Sequence, residues 1–199
     1  MRILITGGDG SIAQAIARAL SSEHQCLTPN SLKLDVTNWD DVINYMKTYQ
    51  PDILINCAGY IKPASVKASE PYDWVKQVQV NLMGTYYCSK EALRRGAKTI
   101  INISSSSGFK GRKFWSAYCA SKAGVISLTQ SMAEEGIDAY CISPHRTDTR
   151  MRAALFPGEN KEDLMHPSRI AAVVKSIIAG EYKKGDNIEV SKDEIIIRN

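Results

Sequence analysis

Tyr118 and Lys122 stand four residues apart in Tyr118-Cys119-Ala120-Ser121-Lys122. On a helix that spacing puts a phenol and an ammonium one turn apart on the same face. A free tyrosine ionises near pH 10 and is a poor proton carrier at neutrality. A neighbouring positive charge favours the phenolate and moves the phenol toward the range where it can exchange a proton with a substrate hydroxyl. Taken alone, the pair is equally what an ordinary helix surface carries. Upstream, Ile101-Asn102-Ile103 runs into Ser104-Ser105-Ser106-Ser107-Gly108, so hydroxyls emerge where an apolar segment ends. A hydroxyl placed there can donate to an oxygen on which negative charge develops. A polar serine loop is the plainer reading. Near the N-terminus, Thr6-Gly7-Gly8-Asp9-Gly10-Ser11-Ile12-Ala13 follows an apolar run. Glycines permit a tight turn there and let the backbone approach a pyrophosphate resting on a helix N-terminus.

These groups need elements to hold them, and the pattern supplies strands and helices in alternation. Arg2–Thr6 reads as a strand and Ile12–Leu20 as a helix with apolar residues at helical spacing. Gln25–Leu27 is a weaker strand, and Leu32–Leu34 leads into Asp35-Val36-Thr37-Asn38. Thr37 or Asn38 can cap a helix running to about Tyr49, which Pro51 stops before a buried strand at Asp52–Asn56. A long helix is expected over Pro71–Arg95, then a strand at Lys98–Ser104 and a helix at Ser116–Glu135. Ile137–Ile142, Pro167–Ala179 and Asn187–Val190 continue as strand, helix, strand, with Ile195–Ile197 extending or flanking the last. Such alternation implies an α/β fold, a parallel sheet with helices on both faces. Ligands then lie at the carboxyl ends of the strands, where strand order reverses. Each polar group above follows a strand.

With 199 residues, the chain fits one domain spanning 1–199. The five cysteines, Cys26, Cys57, Cys88, Cys119 and Cys141, are odd in number and about thirty residues apart. Neither a disulfide framework nor a metal-ligand spacing is present, so reduced, mostly buried thiols and no metal are expected. No run is long enough for a membrane span, and MRILITGGDG has no signal-peptide h-region, so a cytoplasmic protein is expected. Net charge is +4 with lysines and arginines dispersed, which points away from nucleic acid.

Together the motifs resemble the short-chain dehydrogenase/reductase superfamily. Thr6-Gly7-x-x-Gly10-x-x-Ala13 resembles its nucleotide turn, closer to the extended branch than to the short form. Asn56-Cys57-Ala58-Gly59 resembles the family's NNAG, and Asn81 matches its helix asparagine. Ser143-Pro144-His145-Arg146-Thr147-Asp148-Thr149 resembles PGxxxT, with His145 where glycine is usual. Ser105, thirteen residues before Tyr118, best fits the family's active serine, with Ser104 and Ser106 as alternatives. The resemblance covers almost the whole chain. It implies a Rossmann-like doubly wound sheet of about seven strands in three layers, and an NAD(P)(H)-dependent oxidoreductase interconverting an alcohol and a ketone or aldehyde. In it Tyr118 is the acid/base, Lys122 its tuner, Ser105 the carbonyl-side donor, and Asn81 the support of a water relay to the lysine. Gly7, Asp9, Gly10, Ser11 and Ile12 would hold the cofactor, with Asn30 and Ser31 at its ribose and Asp35 and Val36 at the adenine. Cys57, Ala58 and Gly59 would pass the other ribose, with Pro144, Thr147 and Thr149, as well as Tyr118 and Lys122, near the nicotinamide. A dinucleotide-binding sensor of the same fold with little turnover is the rival reading.

An acid at the end of the second strand selects NAD by repelling the extra phosphate of NADP. Thr28-Pro29-Asn30-Ser31 has none, and Lys33 is near, so NADP(H) is favoured slightly over NAD(H). The segment Arg150–His166 should cover the site. Met151, Leu155 and Phe156, with Tyr60, Phe109, Phe114 and Trp115, are either wall or core. Arg146, Arg150 and Arg152 are either attractors of an anionic substrate or solvated surface. A small-molecule substrate is expected, and the chain is too short for a nucleotide-sugar epimerase's C-terminal region. The resemblance further implies a homodimer or homotetramer packed through Pro71–Arg95 and Ser116–Glu135, near Tyr86 and Cys88.

Overall fold

The computed structural model describes residues 1–198. Seven strands form one sheet: β1 (Arg2–Ile5), β2 (Gln25–Leu27), β3 (Ile53–Asn56), β4 (Thr99–Ile103), β5 (Asp138–Pro144), β6 (Asn187–Val190) and β7 (Ile195–Arg198). The helices are α1 (Ser11–Leu20), α2 (Trp39–Tyr49), α3 (Pro71–Val78), α4 (Gly84–Arg94), α5 (Ser116–Glu134), α6 (Arg150–Leu155) and α7 (Ser168–Ile178). The central strands are apolar on both sides, so both faces must be covered. Ile3, Ile5, Ile53, Ile55 and Ile101 pack against Ile16 of α1 and Val174 of α7. Their alternating neighbours Leu4, Leu54 and Ile100 meet Met46 of α2, Ala92 of α4 and Met132 of α5. Each such fully buried aliphatic side chain stabilises the fold by about 1.5–3 kcal/mol. The result is the expected three-layer, Rossmann-like sheet.

Strand order is β2-β1-β3-β4-β5-β6-β7. The chain moves one way from β1 to β2 and the other way from β1 to β3. The crevice where a doubly wound sheet takes its ligand therefore opens above the carboxyl ends of β1 and β3.

Leu32–Leu34 lies in a turn with Leu32 94% exposed, and β2 forms the sheet edge. Three expectations are corrected. The last strand is antiparallel to β6, because the link Ser191–Glu194 is a tight turn closed by Ser191 N–H to Glu194 O at 3.0 Å. A parallel return would need a crossover connection. The helix read over Pro71–Arg95 is α3 and α4 joined by a π turn at Gln79–Met83. Finally, Cys88, expected near the subunit surface together with Tyr86, lies wholly in the core, whereas Tyr86 is exposed.

A buried amide ladder ties β3 and β4 to the helices behind them. Asn56 Nδ2 donates to Asn102 Oδ1 and Ser89 Oγ, both at 2.9 Å. Asn102 Nδ2 donates to Thr129 Oγ1 of α5 at 2.9 Å. Among the described residues, no helix is long and apolar enough to cross a membrane, and no three His, Cys, Asp or Glu side chains converge as metal ligands.

Candidate active site

At the reversal point the turns after β1 and β3 interlock. Cys57 and Ala58 N–H both donate to Thr6 Oγ1, at 3.0 and 3.1 Å. Gly7 has φ +68°, and a Cβ on it would stand 2.7 Å from Ala58 Cα. The end of β2 closes on the next residue: Gly8 N–H donates to Pro29 O at 2.8 Å. Gly10 caps α1 with no side chain over the helix N-terminus, and a Cβ there would meet only Gly7 O, at 3.1 Å. Asp9 and Gly10 are exposed on this turn. Asn30 Oδ1 is buried with no hydrogen-bond partner among the described residues. An uncapped helix start in a glycine turn, beside an orphaned carboxamide oxygen, fits the pyrophosphate and ribose of a dinucleotide.

Other expected contacts have local jobs. Asp35 Oδ1 accepts from Thr37 N–H and Oγ1 at 2.9 and 2.8 Å, and Val36 lies against Gly84, whose Cβ would come 2.7 Å from Val36 Cγ2. Ser31 is exposed. Burial raises the Cys57 thiol to about 12, so it is an inert packing group. Ser11 Oγ accepts from Arg150 N–H at 3.1 Å, pinning the start of α6 to the start of α1. Thr149 caps α6 by accepting from Arg152 N–H at 3.0 Å.

The second half of the crevice lies beyond β4 and β5. There the turn Ser106–Gly108 presses flush on α5: a Cβ on Gly108 would stand 3.0 Å from Lys122 O. Of the three serines open to the active role, Ser104 donates to Lys122 O at 2.8 Å, and Ser106 is buried. Ser105 Oγ accepts from Ser107 N–H at 3.1 Å, and the hydroxyl is near enough to the Tyr118 phenol to act against the rise in its pKa. With one acceptor position filled from the main chain, its proton is left for an outside oxygen.

Lys122 is 4% exposed, and its Nζ donates to Ile103 O at 2.8 Å. The ammonium lies 5.8 Å from the Tyr118 ring centroid. Desolvation lowers it to about 8. Desolvation also dominates at Tyr118, raising the phenol to about 12 against the opposing Ser105 hydrogen bond. The expected lowering of the phenol is thus not what the structure gives: burial dominates, and at neutral pH the site holds a protonated phenol beside a cationic lysine.

Asn81 lies in the π turn, the kind of helix irregularity that recurs at functional sites. Its Oδ1 accepts from Tyr60 N–H at 2.8 Å, and Nδ2 donates to Tyr60 O and Ser121 Oγ at 2.9 and 3.0 Å. The side chain thereby fastens the segment after Gly59 to α5. Gly59, Asn81 and Lys122 converge: a Cβ on Gly59 would meet Asn81 Oδ1 at 3.7 Å and Lys122 Nζ at 4.0 Å.

Ser105 and Tyr118 open into a cavity of about 640 Å³, whose lining also includes Ile12, Pro144, Thr147 and Thr149. Of the residues left open between wall and core, Met151, Leu155, Phe156, Phe114 and Trp115 line the cavity. Tyr60 and Phe109 do not; Lys76 covers the first ring and Arg198 the second. Sequence reasoning missed Ile61, Arg112 and Lys113 in this lining, and the helix α6 that brings Arg152 to it. Phe114 sits at φ +68°, unusual for an aromatic residue, held by Ala64 N–H to Phe114 O at 2.8 Å. Nothing in the local composition signals that turn. His145 lines the cavity, and its Nε2 lies 2.5 Å from Glu189 Oε1. Burial alone would raise the Glu189 carboxyl, yet hydrogen bonds from His145 and Arg198 bring it below its usual value.

Comparison with known proteins identifies the family. The family model for short chain dehydrogenases matches residues 28–160. An uncharacterised oxidoreductase of Staphylococcus aureus strain N315 is 31% identical over 186 residues, covering 87% of this chain and 78% of that protein. One of Staphylococcus saprophyticus is 30% identical over 211 residues, covering 100% and 86%. Among solved structures, ElxO with NADP bound superposes with a TM-score of 0.84 at 23% identity, over 96% of this chain and 97% of that one. 4-Hydroxyisoleucine dehydrogenase complexed with NADH gives 0.83 at 25% identity, over 95% and 96%. On the family-model match and these relatives, the chain belongs to the short-chain dehydrogenase/reductase family as an oxidoreductase of that family.

Proposed function

We propose that this chain is an NAD(P)(H)-dependent oxidoreductase that interconverts an alcohol and a ketone or aldehyde, with Tyr118 as general acid/base. The observation that carries the reading is the Ser105–Tyr118 hydroxyl pair at the cavity floor, with the Lys122 ammonium buried beneath it. Gly7, Gly10, Ser11 and Ile12 would hold the dinucleotide at the turn, Asn30 and Ser31 its adenosine ribose, and Pro144, Thr147 and Thr149 its nicotinamide. When bound, that cofactor supplies or accepts the hydride.

In the reducing direction Ser105 donates to the carbonyl oxygen, and Tyr118 Oη passes its proton to the same oxygen as charge develops there. Lys122 stabilises the phenolate left behind, and Ile103 O fixes the ammonium in place. Asn81 keeps the Gly59–Tyr60 segment and α5 in register, so that Lys122 stays within reach. The phenol is protonated throughout the neutral range, the form from which reduction of a carbonyl starts. The absence of an acid in Thr28-Pro29-Asn30-Ser31 supports NADP(H) over NAD(H). Five free thiols suit a reducing, cytoplasmic setting.

The test is reduction of a panel of ketones and aldehydes with NADPH and with NADH, using Tyr118→Phe as control. Tyr118-dependent turnover, faster with NADPH, is expected. Tight dinucleotide binding without any Tyr118-dependent turnover would favour a sensor of the same fold instead.

A further inference from the structure

The cavity lining is rich in cations. Beside Ile12, Pro144, Thr147 and Thr149 it carries Arg112, Lys113, Arg146 and Arg152. No aspartate or glutamate lines it. Behind the lining, two of these cations share one acid, Glu159. Arg152 grips it with Nε and Nη2, both at 2.6 Å, and Arg146 Nη1 reaches it at 3.3 Å. Hydrogen bonds from Arg152, foremost, hold the Glu159 carboxyl below its usual range, so it is a full negative charge. It takes two of the five N–H donors of Arg152 and one of the five of Arg146, leaving the rest of both forks to face outward.

The arrangement is built. Arg152 is fixed by its bidentate pair and by stacking on Phe156, with 3.9 Å from Cζ to the ring centroid. Phe156 in turn leans on Trp115, at 6.1 Å, beside Tyr118. Arg146 keeps a 61% exposed side chain on the same acid. Neither Arg112 nor Lys113 has an acidic partner among the described residues. A single carboxylate thus fixes two of the four cations without neutralising the set, in the cavity that Ser105 and Tyr118 also line. Planar guanidinium forks at such a wall match the geometry of a carboxylate or phosphate.

We infer that the carbonyl substrate is a small anion, whose carboxylate or phosphate is held by Arg146 and Arg112 while its carbonyl lies on Ser105 and Tyr118. Arg152 and Glu159 are positioning residues for that site. The inference rests on the alcohol–carbonyl reading for the second half of this statement only; the anion site stands on the wall itself.

The experiment uses cofactor-saturated protein and matched probes: dihydroxyacetone phosphate against dihydroxyacetone, and levulinate against its methyl ester. Calorimetry with inorganic phosphate and with malonate runs alongside. Arg146→Gln and Arg112→Gln change exposed side chains, so two independent variants guard against loss of fold. The charged member of at least one pair is expected to be preferred in kcat/KM by roughly 10- to 100-fold, and either variant should cut that ratio at least about tenfold. Whichever pair shows the larger ratio identifies the head group as phosphate or carboxylate. Equal use of charged and neutral members, or a preference that both variants retain, overturns the inference and leaves the oxidoreductase reading intact. If no probe is reduced but phosphate or malonate binds and the variants weaken it about tenfold, the anion site stands and the proposed reaction fails. Absence of both reduction and arginine-dependent binding overturns the inference.

Discussion

Replacing Gly8 and Gly10 by alanine, one at a time, should separate the two jobs of the glycine turn. An alanine Cβ at position 8 would stand 2.1 Å from Thr28 O and 2.5 Å from Thr28 C, both main-chain atoms. No rotamer change relieves that, so the β2 end must move and the 2.8 Å bond from Gly8 N–H to Pro29 O breaks. Overpacking of this kind costs about 1–3 kcal/mol, and the lost hydrogen bond adds about 0.5–1.5 kcal/mol. Gly8→Ala should therefore lower the unfolding free energy by about 2–4 kcal/mol. Adding Thr28→Gly should not rescue it, because the clash is with backbone.

At position 10 the added methyl meets only Gly7 O at 3.1 Å. A helix cap changed from glycine to alanine costs up to about 1 kcal/mol, partly offset by reduced freedom of the unfolded chain. The methyl would intrude instead where the pyrophosphate approaches, so dinucleotide affinity should fall at least about tenfold, or 1.4 kcal/mol. Urea denaturation followed by circular dichroism gives the first quantity and fluorescence titration with NADPH the second. A Gly8→Ala protein within about 0.5 kcal/mol of the parent refutes the packing argument. Unchanged NADPH affinity in Gly10→Ala refutes the placement of the cofactor.

Three further outcomes follow from the same geometry. The Lys122 ammonium is present below its value of about 8 and lost above it, while Tyr118, at about 12, stays protonated. The kcat for carbonyl reduction should accordingly be level at neutral pH and decline above about 8, and a profile flat to roughly pH 10 contradicts the role given to Lys122. Asn102→Ala strips the buried amide ladder of its middle member and leaves Asn56 Nδ2 and Thr129 Oγ1 without that partner; urea midpoints should show a loss of about 2–4 kcal/mol, and a loss under about 1 kcal/mol contradicts it. Light scattering should give two or four times the 22.0 kDa chain mass, with a monomer at micromolar concentration refuting the subunit surface at Tyr86.

The fold was legible because its strands are short apolar runs with opposite faces, as in Ile3-Leu4-Ile5 and Ile53-Leu54-Ile55, and because turn residues separate them. What escaped is partly local hydrogen bonding and partly contacts remote in sequence. The antiparallel β7 follows from a tight turn whose hydrogen bond composition does not announce. The π turn at Asn81 arises inside a sequence that reads as continuous helix, and the turn at Phe114 is held open by Ala64, fifty residues away. At the site, the Tyr118–Lys122 spacing was visible while the electrostatic balance was not: burial depends on the whole fold, and here it outweighs the pair's own attraction. The arginines were visible too, but only their shared carboxylate, Glu159, shows which of them face the cavity together.

The central claim is that the Tyr118 hydroxyl delivers the proton while a bound nicotinamide delivers the hydride. Single-turnover oxidation of enzyme-bound NADPH by a reducible carbonyl, compared between the parent and Tyr118→Phe at matched cofactor occupancy, measures that step directly. The rate should fall roughly 10²- to 10⁴-fold with NADPH affinity within about twofold of the parent. A Tyr118→Phe protein that turns over bound NADPH at near the parent rate would contradict it.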